Sequence, residues 1–178
     1  MFPCAAADKG PFAVIETSMG SITIKLFAEV TPNTVRNFIG LATGKKEWTD
    51  PRTRKKTTAK LYDGTGFHRV IPGELIQGGD PLGTGSGGPG YRIPDEILPT
   101  LKFDRSGRVG MANTGPNSGG SQFFITLDRM PLLNDQYTIF GQVVKGMDVV
   151  ANISKVKRLG ERPRDPVLIK TITIVDQL

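Results

Sequence analysis

The stretch from Gly66 to Asp80, GFHRVIPGELIQGGD, carries the residue types and spacing best suited to chemistry. Arg69 stands among Phe67, Val70, Ile71, Leu75 and Ile76, so a guanidinium emerges from an apolar run as a fixed cationic donor. Pro72 and Gly73 interrupt the run and split it into two strands, which brings Gln77 back beside Arg69. The chain offers this Arg no general base of the usual kind. It has one His (His68) and one Cys (Cys4), no acidic cluster and no Ser-His-Asp set. Triad chemistry and metal-assisted hydrolysis therefore have no support, and neither a metal nor a cofactor is expected. A solitary Arg and Gln on a strand are otherwise ordinary solvated residues, and the elements around them have to decide between the two readings.

Those elements are mainly β. With 22 Gly and 13 Pro among 178 residues, and short β-branched runs, the chain predicts many strands and tight turns rather than a helical bundle. Its length suits one domain with a sizeable core. Phe12 to Thr17 and Ser21 to Phe27 alternate, with Ile22, Ile24 and Leu26 on one face, and Ser18-Met19-Gly20 turns between them. Thr31 before Pro32 predicts a helix start, and Val35, Phe38, Ile39 and Ala42 follow at helical spacing up to Gly44. Gln122 to Leu127 is a strand whose Phe123 and Phe124 must face opposite sides. Met130 to Gln136 reads as an irregular connection, Tyr137 to Val144 as a strand, and Met147, Val150 and Ala151 as a second helix. The terminal alternation from Val167 to Val175 can pair with the first hairpin and close the sheet into a barrel with no open edge.

Two loops stand apart. Residues 45–60, KKEWTDPRTRKKTTAK, hold seven basic residues and read as a surface insertion anchored by Trp48; the alternative is that Trp48 stacks a base while Lys and Arg neutralise phosphates. Gly83, Gly85 and Gly88 match a G-x-G-x-x-G phosphate loop in spacing alone, since Pro89, Gly90 and Pro94 forbid the helix such a loop needs. A mobile glycine loop is expected there. The net charge of +6 permits acidic partners without requiring them. No stretch reaches the roughly 20 apolar residues of a membrane span. Residues 1–10, MFPCAAADKG, read as a flexible leader ahead of a single domain over 11–178. As written the chain is soluble and cytoplasmic; if the Cys4 leader is a processing remnant, the protein is exported, periplasmic or lipid-anchored.

FHRVIPG followed by QGGD, then GMANTGPNSGGSQFFIT and YTIFGQVVKGMDVV, closely resemble the cyclophilin family of peptidyl-prolyl cis–trans isomerases, in order from about Phe12 to the C-terminus. The EWTDPRTRKK insertion and LLNDQYTIFG look more bacterial than eukaryotic. The resemblance implies a closed eight-stranded antiparallel β-barrel capped by two α-helices. It also implies an enzyme that rotates X-Pro bonds in proline-containing peptides and in unfolded or folded client proteins, and so assists folding. Arg69 would donate to the prolyl nitrogen, with Gln77 and the Asn113 backbone holding the flanking peptide. The proline pocket would be floored by Phe124 and walled by Leu75, Leu133 and Tyr137, with Phe67, Met111, Ala112, Thr114 and Gln122 along the groove.

The pattern departs from the family at the rim. Glu74 stands where Phe is usual and is expected to turn outward; Tyr137 replaces a frequent His. Leu132 stands where many eukaryotic members have Trp, and without an indole N–H it should hold cyclosporin, the family's cyclic-peptide inhibitor, more weakly. A monomer is expected. Two other readings are a proline-peptide binding module with little turnover and a nucleic-acid-associated protein using residues 45–60. Arg69 and Gln77 favour catalysis over the first, and nucleic acid is not expected as a partner.

Overall fold

The computed structural model describes residues 9–178. In chain order it runs β1 (Lys9–Thr17), β2 (Gly20–Leu26), α1 (Pro32–Thr43), β3 (Trp48–Asp50), β4 (Lys55–Thr57), β5 (Arg69–Ile71), β6 (Leu75–Gly78), β7 (Arg108–Met111) and β8 (Phe123–Thr126). A 3-10 turn (Pro131–Leu133), β9 (Ile139–Lys145), α2 (Met147–Ser154), β10 (Arg158–Leu159), β11 (Arg162–Pro163) and β12 (Ile169–Gln177) complete it. The first strand already includes Lys9 and Gly10, which the sequence assigned to a leader; the rest of that leader, Cys4 included, lies outside the described residues.

Eight strands form one antiparallel sheet in the order β12-β1-β2-β9-β7-β8-β6-β5. The terminal strand pairs with the first hairpin as the alternation predicted, Val14 opposite Thr173 and Ile15 opposite Ile172. The expected closed barrel does not form. The end strands β5 and β12 share no ladder; the segments leading into them meet at one antiparallel bridge, Gly66 to Leu168, and the sheet is an open, strongly curled half-barrel. The reason lies at the free edge of β5. It is three residues long, and its Val70 N–H donates to the Glu161 carbonyl at 2.7 Å in the turn between β10 and β11. The donor that a closing strand would need is already in use.

The concave face holds the main core. Ile22, Ile24 and Leu26 are buried there, with Ile15, Ile76, Val109, Phe123 and Ile125. Helix α1 closes over it: Phe38 lies 5.0 Å from the ring of Tyr62, 5.6 Å from Phe123 and 5.3 Å from Phe140. Tilted and edge-on aromatic contacts of this kind add to the burial that drives the packing. Thr31 precedes the helix as predicted but does not cap it, its hydroxyl donating back to the Phe27 carbonyl at 3.3 Å. The first free N–H groups of the helix instead meet a distant carboxylate. Glu96 accepts from Asn33 N–H at 3.1 Å and from Thr34 N–H at 2.8 Å, setting negative charge at the positive end of the helix dipole.

The basic insertion folds as the β3–β4 hairpin. Trp48 is buried in the core and its indole N–H donates to the Ala59 carbonyl at 2.8 Å, so it anchors the segment and has no face free to stack a base. Among the described residues no helix is long and apolar enough to cross a membrane.

Candidate active site

Register builds the site. Arg69 pairs with Gln77 across β5 and β6, Gln77 with Phe124 across β6 and β8, Phe124 with Gly110 across β8 and β7, and Gly110 with Ile139 across β7 and β9. Cross-strand partners share a face, so these five residues form one row on the convex side, while Val70, Ile76, Ile125 and Val109 in the next row face the core. Gly110 matters to that row. A Cβ built there would run into the Phe124 ring, so the ring lies across a strand where only hydrogen fits.

At one end of the row, half-buried Arg69 is held from two sides. Its Nη1 donates to Gln77 Oε1 at 3.4 Å. Its Nε donates to Glu161 Oε2 at 2.5 Å, and its Nη2 reaches Glu161 Oε1 at 3.5 Å. The hydrogen bonds from Arg69, with the charge of Arg158 adding to them, hold the Glu161 carboxyl below its ordinary range. Beyond Gln77 the polarity is fixed in sequence. Gln122 Nε2 donates to the carbonyls of Gly85 and Gly87, both at 2.9 Å, so its Oε1 is left to accept from Gln77 Nε2 at 3.0 Å, and Gln77 Oε1 is left for Arg69. Gln122, Gln77 and Arg69 thus act as one chain from the carbonyls of Gly85 and Gly87 to the cation.

The loop at the far end of that chain is tied to Asp80. Asp80 is buried beneath it, and its carboxylate accepts from the N–H groups of Leu82 at 2.7 Å, Thr84 at 2.9 Å and Gly85 at 2.6 Å. Burial pushes the Asp80 carboxyl up, but backbone donors from Leu82, Gly87, Gly85 and Thr84 outweigh it and leave the group below its ordinary range. Between this loop and the segment from Ala112 to Gln122 lies an open cavity of about 530 Å³, bordered by Gln77, Tyr91, Ala112, Asn113 and Thr114. Asn113 anchors its rim through Nδ2, which donates to the Gln136 carbonyl at 2.9 Å. Its own backbone N–H and C=O have no partner among the described residues, so an extended peptide could pair with them.

At the middle of the row Phe124 centres a second apolar cluster with Leu75, Phe103 and Ile139, onto which Ala112, Leu133 and Tyr137 pack. Phe103 stacks on Phe124 at 5.5 Å and Tyr137 meets it edge-on at 5.4 Å, leaving Phe124 3% exposed. Leu132 projects from the 3-10 turn beside them, 86% exposed. Glu74 is exposed at the turn between β5 and β6, as its charge required.

The structure thus brings together Arg69, Gln77, Gln122 and Phe124, with Leu75, Leu133 and Tyr137 around Phe124 and Ala112, Asn113 and Thr114 along the cavity. Two expected groove residues are elsewhere. Met111 pairs with Phe123, which turns it inward, and it is a core residue. Phe67 is also in the core, its ring 6.3 Å from that of Phe123. His68, next to Arg69, is half-buried with its Nδ1 unpartnered among the described residues; burial pushes its imidazole below the usual range, and the charges of Arg162 and Arg69 act in the same direction. Sequence reading missed Glu161, which no local pattern links to Arg69, and Phe103, an isolated aromatic in an irregular segment.

Comparison with known proteins gives a consistent picture. Residues 12–174 match the family model described as cyclophilin type peptidyl-prolyl cis-trans isomerase/CLD. The peptidyl-prolyl cis-trans isomerase A of Mycobacterium tuberculosis strain H37Rv is 46% identical, over 98% of this chain and 100% of that protein. The isomerase B of Streptomyces anulatus is also 46% identical, over 92% of this chain and 95% of its own. A crystal structure of a cyclophilin-type isomerase from Cryptosporidium parvum superposes with a TM-score of 0.82 at 35% identity, covering 94% of this chain and 99% of that one. A second, determined in the presence of the dipeptide Ala-Pro, has a TM-score of 0.81 at 36% identity, covering 92% and 98%.

Proposed function

The chain belongs to the cyclophilin-type peptidyl-prolyl cis-trans isomerase family, and from that premise we propose how its residues divide the work of rotating an X-Pro bond. Amide resonance sets a rotational barrier of about 18–20 kcal/mol, and unaided X-Pro isomerisation takes tens to hundreds of seconds. No bond has to break. In the twisted state the prolyl nitrogen becomes pyramidal and its lone pair accepts a hydrogen bond that neither planar isomer can accept. Arg69 donates that bond, and because the interaction exists only in the twisted state it lowers the barrier rather than merely binding substrate.

The supporting observation is the single row Arg69, Gln77 and Phe124, a cation, an amide and an aromatic ring on neighbouring strands. A proline ring resting on the Phe124 cluster, between Leu75, Leu133 and Tyr137, has its nitrogen turned toward Arg69. The peptide preceding it runs along Ala112, Asn113 and Thr114 and pairs with the Asn113 backbone, while Gln122 steadies Gln77. Proline-containing peptides are the substrate class, and the Ala-Pro dipeptide present with the related Cryptosporidium protein fits that chemistry. Cyclosporin, held with help from an indole where this chain has Leu132, binds weakly here.

A protease-coupled isomerisation assay on X-Pro peptides tests the assignment. Arg69→Ala loses about 10²–10³ in kcat, corresponding to about 2.7–4 kcal/mol, with the melting temperature preserved. Arg69→Lys also fails, because an ammonium lacks the planar fork that Gln77 and Glu161 grip. Near-wild-type turnover by Arg69→Ala overturns the mechanism.

A further inference from the structure

We propose that Glu161 is a positioning residue for this isomerisation: its carboxylate orients the Arg69 guanidinium, so that the donors left free point at the substrate. The inference rests on the reading of Arg69 as the catalytic donor. A guanidinium has five N–H groups. Glu161 takes the Nε donor and one on Nη2, and Gln77 takes one on Nη1. Among the described residues two find no acceptor, one on each terminal nitrogen, and with 41% of the Arg69 side chain exposed they are open to a substrate lying along the row toward Phe124.

An ion pair this exposed is ordinarily weak, because both side chains give up freedom and water screens the charge. Here the acid's backbone is fixed independently. The carbonyl of Glu161 accepts from Val70, the residue after Arg69, at 2.7 Å. Arg158 opposite Pro163 and Leu159 opposite Arg162 tie the hairpin on either side of the Gly160-Glu161 turn. Gly160 takes the left-handed conformation that lets so tight a turn close. Carboxylate and guanidinium are thus carried on two backbones that hydrogen-bond each other within a residue of the pair. Little freedom remains to be lost when they meet, and a long side chain that would otherwise sample many rotamers has one arrangement. Gln77 alone, at 3.4 Å and through one bond, leaves the guanidinium free to swing.

The carboxylate also partly neutralises the cation, which by itself would weaken the donor. The two effects have opposite signs on turnover, so experiment separates them. kcat and KM are measured for an X-Pro peptide with wild type, Glu161→Ala, Glu161→Gln, Arg69→Ala and the Arg69→Ala/Glu161→Ala double variant, with thermal melts on each; all keep the backbone carbonyl that holds Val70. The expected result is a loss of roughly two- to five-fold in kcat for Glu161→Ala at unchanged KM, the scale of one partly exposed oriented pair. Glu161→Gln, which keeps an acceptor for Nε, recovers part of the loss, and removing Glu161 has no further effect once Arg69 is gone. Turnover by Glu161→Ala equal to or above wild type, a change confined to KM, or an equal loss in the Arg69→Ala background overturns the inference. If Arg69→Ala is inactive and Glu161→Ala fully active, only this inference falls; if Arg69→Ala is itself fully active, the mechanism beneath it falls first.

Discussion

Phe123 and Phe124 are adjacent in β8 and both shielded from solvent, yet they belong to different regions. Phe123 points into the concave core, where its ring meets Phe38, Tyr62 and Phe67. Phe124 points to the convex face, stacked on Phe103 and ringed by half-buried side chains. The inner face is sealed by helix α1 and by its own side chains. The outer face is sealed by loops and a 3-10 turn and ends in a cation and two amides. The same alternation builds both, so stability and chemistry are interleaved residue by residue along one strand while remaining separable by mutation.

The sharpest test is the pair itself. Phe123→Ala should cost about 3–5 kcal/mol in denaturant unfolding, through lost burial and the cavity left behind. The activity of the fraction still folded should persist. Phe124→Ala should cost less stability and far more turnover, because the lost ring lies under a rim that can relax. Equal turnover losses for the two variants would erase the distinction between faces. Leu132 offers a smaller effect on the outer side alone. Leu132→Trp should tighten cyclosporin by roughly 1–2 kcal/mol through an added indole donor, with the melting temperature unmoved; matching calorimetric titrations of the two proteins would rule this out. The smallest effect belongs to Glu74. An exposed charge beside the groove should favour Lys over Glu next to the substrate proline by about 0.2–1 kcal/mol, a few-fold in kcat/KM that fades with salt and vanishes in Glu74→Phe. Identical rates for Lys-, Ala- and Glu-flanked peptides at low ionic strength would place Glu74 outside the groove's reach.

What could be read from the chain follows the range of each interaction. Alternation placed Ile22, Ile24 and Leu26 in the core, and the Thr31-Pro32 step placed the start of α1, because both are local. The cap of that helix was not local: Glu96 supplies it from 62 residues away in sequence. Arg69 and Gln77 are legible together since a three-residue turn, Pro72 to Glu74, joins their strands, whereas the acid on the other side of Arg69 lies 92 residues downstream. The resemblance puts Met111 in the groove beside Ala112; its pairing with Phe123, a long-range contact, turns it inward. The barrel was expected to close because the last strand matches the first hairpin, and it does pair with it. That pairing leaves the far edge, at β5, to the turn that carries Glu161.

The place of β1 in the sheet bears on how the protein is made. β1 lies between β2, its immediate successor, and β12, the last strand of the sheet to be synthesised. The hairpin it forms with β2 is available early, but its other edge stays unpaired until residues 169–177 emerge. At about 5–20 residues per second that interval is on the order of ten seconds, during which a strand carrying Ala13 and Ile15 has no partner on one side. Pairing over so long a loop is also slow by topology. Completion of the sheet therefore depends on the final strand, and the nascent chain passes through a period in which the edge of β1 can recruit another chain in its place.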